Sequence, residues 1–344
     1  MTQSSDESFT DAPTNVPITI RDQTIDPGRS RRFELPVARL PSGTWESMPV
    51  AIINGRRPGP HVFLSGAIHG DEINGVEIIR RVLPHLDARR LAGAVIAVPI
   101  VNVFGFVNQS RYLPDRRDLN RSFPGSPRGS MAARLAHLFM QEVVGQCQYG
   151  IDLHTAAAER INTPQIRANL DDEGTRPLAH AFGARFIIHA RVRDGSLRQA
   201  ATERGIRILL YEAGAVQRFQ PEAVATGVDG ILRVLQSLGM GSWDIPDAGA
   251  GIEMRKTQWV RAPRSGITTL DVALGDQVNG GDVLGSIGEA LGGRRTGLRA
   301  PFPGHVIALS QNPLVTQGDA LVHIGAPDAE GIDEPAESRR RKRR

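Results

Sequence analysis

The chain has 344 residues, 40% hydrophobic and 23% charged, with a formal net charge of +4 and one cysteine, Cys147. That length suits one large domain and a small one, each with its own apolar core, and excludes a mini-protein held by internal disulfides. No apolar run approaches the ~20 residues of a membrane span, and Met1 to Thr14 is polar and acidic rather than leader-like, so a soluble, cytoplasmic protein with no membrane partner is expected.

The six cations of Arg339 to Arg344 exceed the net charge, which leaves the rest of the chain at −2. A basic body built for nucleic acid is thereby excluded, and residues 327–344 are expected to form a solvated, disordered basic tail. Residues 1–16, rich in Ser, Asp, Thr and Pro, are likewise expected to be disordered.

Taken in chain order, short strand-like runs at Phe33–Val37 and Met48–Ile53 come first. From His61 strands and helices alternate: strand 61–68, helix 72–86, strand 93–101, helix 130–144, strand 150–154, helix 172–182, strand 184–188, helix 196–204, strand 206–212 and helix 221–238. This rhythm predicts a three-layer α/β domain over residues 17–240. A Gly, Pro and Asp-rich linker, 241–256, leads to an all-β segment at 257–326. In that segment Ala-Pro-x-x-Gly occurs at 262 and 300, and Gly-Asp pairs recur at 275, 281 and 318. A two-fold repeat of this kind predicts a small barrel or sandwich with related halves. The segment resembles the biotinyl/lipoyl carrier fold, whose carrier function needs a lysine at a hairpin tip; residues 257–326 contain none.

The chemistry concentrates where predicted strands end. Leu64-Ser-Gly-Ala-Ile-His69-Gly-Asp-Glu72 closes an apolar strand with an imidazole and a carboxylate three residues apart, and Tyr149-Gly-Ile-Asp-Leu-His154 closes another with a second imidazole. Two His and one Glu make a three-ligand zinc set with an open position for water. His-x-x-Glu alone arises by chance, so the reading rests on the strand-end context and on the second His. In open α/β sheets sites form at strand ends. The long stretch from Asn102 to Gly129 holds Arg111, Arg116, Arg117, Asn120 and Arg121, either a solvated basic loop or guanidinium forks and an amide that grip an anionic substrate. Glu212, after Leu209-Leu210-Tyr211, reads either as a buried partner of some Arg or as a catalytic carboxylate. Tyr112 and Tyr211 read as packing.

Four blocks, Gly66-Ala-Ile-His69-Gly-Asp-Glu72, Asp118-Leu-Asn120-Arg121-x-Phe-Pro-Gly125, Asp152-Leu-His154 and Tyr211-Glu212-Ala-Gly214, occur in an order that resembles the succinylglutamate desuccinylase/aspartoacylase family of the zinc carboxypeptidase superfamily. The resemblance covers residues 50–325. It implies a zinc carboxypeptidase-like α/β domain with a mixed sheet and one Zn2+ held by His69, Glu72 and His154. It also implies Glu212 as general base and acid, Asn120 and Arg121 as the grip on a substrate carboxylate, and Arg111 as the group that polarises the scissile carbonyl, a role for which Arg116 and Arg117 compete. Asp152, two residues before His154 on the same strand face, is offered as a group that supports the ligand. The implied activity is removal of an acyl group from a small N-acyl amino acid. A metallocarboxypeptidase acting on peptides or peptidoglycan stems and a non-catalytic metal-binding protein are the competing readings. A homo-oligomer is the default assembly.

Overall fold

The computed structural model describes residues 14–328. Its frame is a twelve-stranded mixed sheet. From one edge the strands run Arg29–Arg39, Trp45–Asn54, Ala92–Val98, Arg57–Gly66, Tyr149–His154, Arg207–Gly214, Arg160–Ala168 and Phe186–His189, and then continue into strands of the C-terminal segment. The central pairs are parallel, Arg57–Gly66 with Ala92–Val98 and with Tyr149–His154, and Tyr149–His154 with Arg207–Gly214. Strands buried on both faces need apolar residues at odd and even positions alike, which is why Ala92–Val98 is buried throughout.

Alternation divides those residues between two cores. Val62, Leu64, Leu153, Leu209 and Tyr211 pack against helices Asn74–Val82, Thr175–Phe182 and Pro221–Ser237. Phe63, Ile96 and Ile208 turn the other way, toward helices Met131–Glu142 and Leu197–Thr202. Three layers result, as the sequence rhythm predicts, with a mixed central sheet.

Several expectations need adjustment. The first long helix starts at Asn74 rather than Glu72, and its expected last turn is a separate 3-10 turn, Leu83–His85, opened by Pro84. The expected disordered stretch 1–16 lies mostly outside the described residues, but Asn15 is buried and donates to Asn54 Oδ1 at 2.8 Å. The expected linker 241–256 is shorter, because strand Ile252–Arg261 begins inside it and pairs in parallel with Phe186–His189. Residues 327–344 fall largely outside the described residues; Pro327 still belongs to strand Ala320–Pro327, and Asp328 pairs with Arg255 at 2.9 Å.

The two-fold repeat is visible in the hydrogen bonds. Ala262 N donates to Asp319 O and Gly318 N to Ala262 O; in the other half Ala300 N donates to Asp282 O and Gly281 N to Ala300 O. Each of these Asp side chains accepts a backbone N–H three residues upstream at 2.7 Å, from Thr316 and from Asn279. Gly318 and Gly281 have φ of +94° and +90°, which explains the glycine before each Asp. The segment has its own apolar cluster around Leu284, Leu298, Val306 and Leu321. One of its sheets is hydrogen-bonded to the main sheet through Ile252–Arg261 and through Gly304–Ser310, which pairs with Arg160–Ala168.

Candidate metal and catalytic site

Strand Arg57–Gly66 ends at a turn that carries His69 and Glu72 before the helix begins. The turn is closed by Glu72 N donating to His69 O at 3.1 Å, so the two side chains converge through a loop and not along a helical face. The glycines of the motif permit that path. A Cβ on Gly70 would lie 1.9 Å from the carbonyl carbon of Gly105, and one on Gly66 2.8 Å from Pro99 O. Gly70→Ala is accordingly expected to destabilise the protein by roughly 1–3 kcal/mol or more, since only backbone stands in the way. Chemical denaturation checks this, and an unchanged midpoint would contradict it.

His154 ends the neighbouring strand, and the next strand brings Glu212 into direct register with it. Partners in a sheet lie about 5 Å apart, so one carboxylate is placed beside the cluster by strand pairing alone. His69 Nδ1 lies 2.7 Å from Glu72 Oε1, His154 Nδ1 lies 2.7 Å from Glu72 Oε2, and the two Nδ1 atoms are 3.2 Å apart. The three side chains are buried and offer ligand atoms within 4.8 Å of one another. Each ring's other nitrogen meets a carboxylate: His154 Nε2 lies 2.8 Å from Asp152 Oδ2, and His69 Nε2 lies 3.2 Å from Asp118 Oδ1. Asp152 is itself fixed by Ser65 Oγ, which donates at 2.7 Å. Carboxylates behind imidazoles fix the ring orientation that a metal needs, so the donor set and its support fit a zinc ion.

The electrostatics agree. Burial pushes the Glu72 carboxyl up, but His69 and His154 outweigh it and hold the group far below the usual carboxylate range. Burial also works against charge on His154, and Asp152 and Glu72 outweigh it, so this imidazole titrates well above its ordinary value; His69 is raised in the same way by Glu72 and Asp118. The pocket therefore retains positive charge, as protons or as a divalent cation. Since a ligand imidazole must be neutral, zinc binding releases those protons, and the raised values extend the competition above the ordinary imidazole range. Zinc affinity is expected to fall as pH falls through and above that range, by roughly ten- to a hundredfold per pH unit depending on whether one or two protons are displaced. Competition with a chromophoric chelator measures this; a flat profile between pH 6 and 8 would contradict it.

A cavity of about 430 Å³ opens over the cluster, lined by His69, Glu72, Arg111, Asn120, Arg121, His154 and Glu212 among others. The seven residues given metal, catalytic or substrate roles by the resemblance thus share one space. Arg111 lines it, whereas Arg116 and Arg117 do not. Asp118 Oδ2 accepts from Arg111 Nε and Nη2 at 3.2 and 2.9 Å, and Arg111 Nη1 reaches Glu72 Oε1 at 3.3 Å. Asn120 Oδ1 accepts from Leu197 N at 2.9 Å, so the amide nitrogen is the end of this side chain left to donate. Arg121 Nη1 donates to Asn120 O.

Sequence reasoning missed several residues of the cavity and of the groups that support it. Asp118 stands inside a quoted motif, two residues before Asn120, yet received no role. Arg160, Arg167, Arg191, Arg193 and Arg198 line the cavity from segments read as loop or helix, and Trp259 reaches it from the C-terminal segment, with the Arg160 guanidinium 5.0 Å above its ring. The stretch 156–169, which no predicted element covers, is largely strand Arg160–Ala168.

Fold and site together define an α/β protein with a buried strand-end His-Glu-His group that could hold a metal ion. The chain belongs to the succinylglutamate desuccinylase/aspartoacylase family, whose catalytic-domain description, "Succinylglutamate desuccinylase/Aspartoacylase catalytic domain", matches residues 58–238. It is 30% identical over 268 residues to the N-alpha-acetyl-L-2,4-diaminobutyric acid deacetylase of Halomonas elongata, covering 74% of this chain and 78% of that one. The crystal structure of a succinylglutamate desuccinylase/aspartoacylase from Rhodobacter sphaeroides superposes with a TM-score of 0.79 at 28% identity, over 88% of this chain and 98% of that one. The product-bound ectoine utilization protein EutE (DoeB) of Ruegeria pomeroyi shares the fold, with a TM-score of 0.79 at 24% identity over 91% and 99% of the two chains.

Proposed function

We propose that this chain is a zinc-dependent amidohydrolase that removes the acyl group from a small N-acyl amino acid. The observation that carries the reading is the placement of Glu212 in strand register with His154, in the same cavity as His69 and Glu72. The deacetylase relative and the family match support the reaction class.

His69, Glu72 and His154 would hold the zinc, which when bound supplies Lewis acidity and makes a hydroxide nucleophile available near neutral pH. Glu212 takes the proton of the attacking water and returns it to the departing amine, which must leave protonated. Arg111, its Nε and Nη2 fixed by Asp118, keeps Nη1 turned toward the ligand cluster, where it meets the negative charge that develops on the carbonyl oxygen. Asn120 and Arg121 hold the substrate carboxylate.

Residues 17–240 serve as the catalytic unit and residues 257–326 as a lysine-free unit that narrows entry. Thr257 and Trp259 stand in the cavity wall, and a cavity of this volume suits a small molecule. This favours a deacylase over a metallocarboxypeptidase acting on peptides or peptidoglycan stems, and Glu212 argues against a non-catalytic metal binder. No helix among the described residues is long and apolar enough to cross a membrane. Release of free amine from N-acetyl, N-succinyl and N-formyl amino acids by the zinc-loaded protein tests the reading; cleavage confined to C-terminal peptide bonds would overturn it.

A further inference from the structure

The strand that holds Glu212 is irregular where the two meet. Arg160–Ala168 runs antiparallel to Arg207–Gly214, with Leu210 opposite Arg167, Tyr211 opposite Ile166 and Glu212 opposite Gln165; the register then slips, so that Gly214 faces Asn162. Thr163 and Pro164 therefore oppose Ala213 alone, which is a β-bulge. In an unbroken ladder, alternation from Gln165 would put Thr163 and Ile161 on the Glu212 face and turn Asn162 away. The slip reverses this. Asn162 Nδ2 donates to Glu212 Oε2 at 2.6 Å, and the direction is fixed because a carboxylate only accepts. Pro164, which has no backbone N–H to offer a ladder, sits in the bulge.

The same backbone is gripped from its other side. Asn162 pairs with Ala308, Ile161 with Leu309 and Arg160 with Ser310, and Thr163 Oγ1 donates to Ile307 O at 3.2 Å. Asn162 is only 6% exposed, so water competes little for its bond. The second carboxylate oxygen, Oε1, lies 3.5 Å from Arg167 Nε.

We propose that Asn162, aimed by the Thr163–Pro164 bulge and braced by the C-terminal β segment, is a positioning residue for Glu212. It holds Oε2 and so fixes the rotation of the carboxylate, presenting Oε1 to the water and the leaving amine. The C-terminal segment then contributes to turnover by bracing this strand as well as by narrowing the cavity. The proposal rests on the reading of Glu212 as the proton-transfer group.

The test compares Asn162→Ala, Asn162→Asp, Thr163→Val, Glu212→Gln and the double variant N162A/E212Q in the full-length zinc-loaded protein, on the best substrate of the N-acyl amino acid panel. Asn162→Ala is expected to lower kcat roughly 10- to 100-fold with little change in KM, zinc stoichiometry or thermal midpoint, as befits a misplaced catalytic group. Asn162→Asp keeps the shape but removes the donor, and should lose at least as much, which serves if the alanine variant folds poorly. Thr163→Val removes one bond of the brace, to Ile307, and spares the one to Glu212, so kcat should fall, but by less than in Asn162→Ala. In the E212Q background, adding N162A should change the residual rate by less than about twofold, because no base is left to position. Wild-type kcat in both Asn162 variants while E212Q is inactive would overturn the proposal alone, as would an N162A loss of equal size in the E212Q background. An E212Q protein as active as wild type would overturn the reading of Glu212 and the proposal with it.

Discussion

Glu212→Gln is expected to lower kcat by roughly 10²–10⁴-fold, the usual worth of a positioned general acid–base, while leaving zinc bound at one ion per chain. The substitution keeps the side chain's size, so the strand pairing to His154 and the surrounding packing survive. It removes the one cavity carboxylate that supports no imidazole of the metal set, since Glu72 and Asp152 are both committed to His69 and His154. Steady-state kinetics and metal analysis on the same preparation decide the matter. Loss of zinc together with activity would make Glu212 a supporting residue of the metal site, and retained turnover would remove it from the chemistry.

The second large effect concerns substrate charge. Arg121, Arg160, Arg191, Arg193 and Arg198 line the cavity, and none of them has an acidic side chain within ion-pair distance among the described residues, whereas Arg111 is paired with Asp118 and Arg167 lies beside Glu212. Burial, helped by the neighbouring Arg167, brings the Arg198 guanidinium down to about 10, the mark of a cation short of partners. An ammonium group entering this space would find guanidinium groups and, outside the His-Glu-His cluster and Asp152 behind it, no carboxylate in the cavity wall but Glu212, which already has Asn162 and Arg167 beside it. We therefore expect N-acyl amino acids with a second carboxylate, on the side chain or the acyl chain, to be preferred over N-acetyl-2,4-diaminobutyrate by at least ~100-fold in kcat/KM, or about 2.7 kcal/mol. The Halomonas elongata relative is named for that diamino substrate, so the comparison bears directly on how this chain has diverged. Equal or better turnover of the diamino substrate would refute the expectation.

Much of this site was legible because its parts are local. His69 and Glu72 are three residues apart at the end of an apolar strand, and His154 ends another, so ligand chemistry and strand patterning pointed to the same place. The central sheet was legible for the same reason, as runs such as Ala92–Val98 are apolar throughout. Strand Arg160–Ala168 was not, because Arg160, Asn162 and Arg167 face a polar cavity and Pro164 interrupts the pattern; its pairing is decided by partners far away in the chain. Asp118 escaped for a related reason. Its bond to His69 spans 49 residues, and no spacing rule reports it. The choice among Arg111, Arg116 and Arg117 likewise depended on how an aperiodic loop folds, and only Arg111 is drawn in, by Asp118 and Glu72.

The most direct measurement follows amine release from an N-acyl amino acid by one preparation in three states: as purified, stripped with a chelator, and reconstituted with one equivalent of zinc. Turnover should be lost on stripping and return at a single equivalent, with His69→Ala and His154→Ala unable to recover. Full turnover in the stripped protein, or none in a zinc-saturated one across the whole panel, would contradict this.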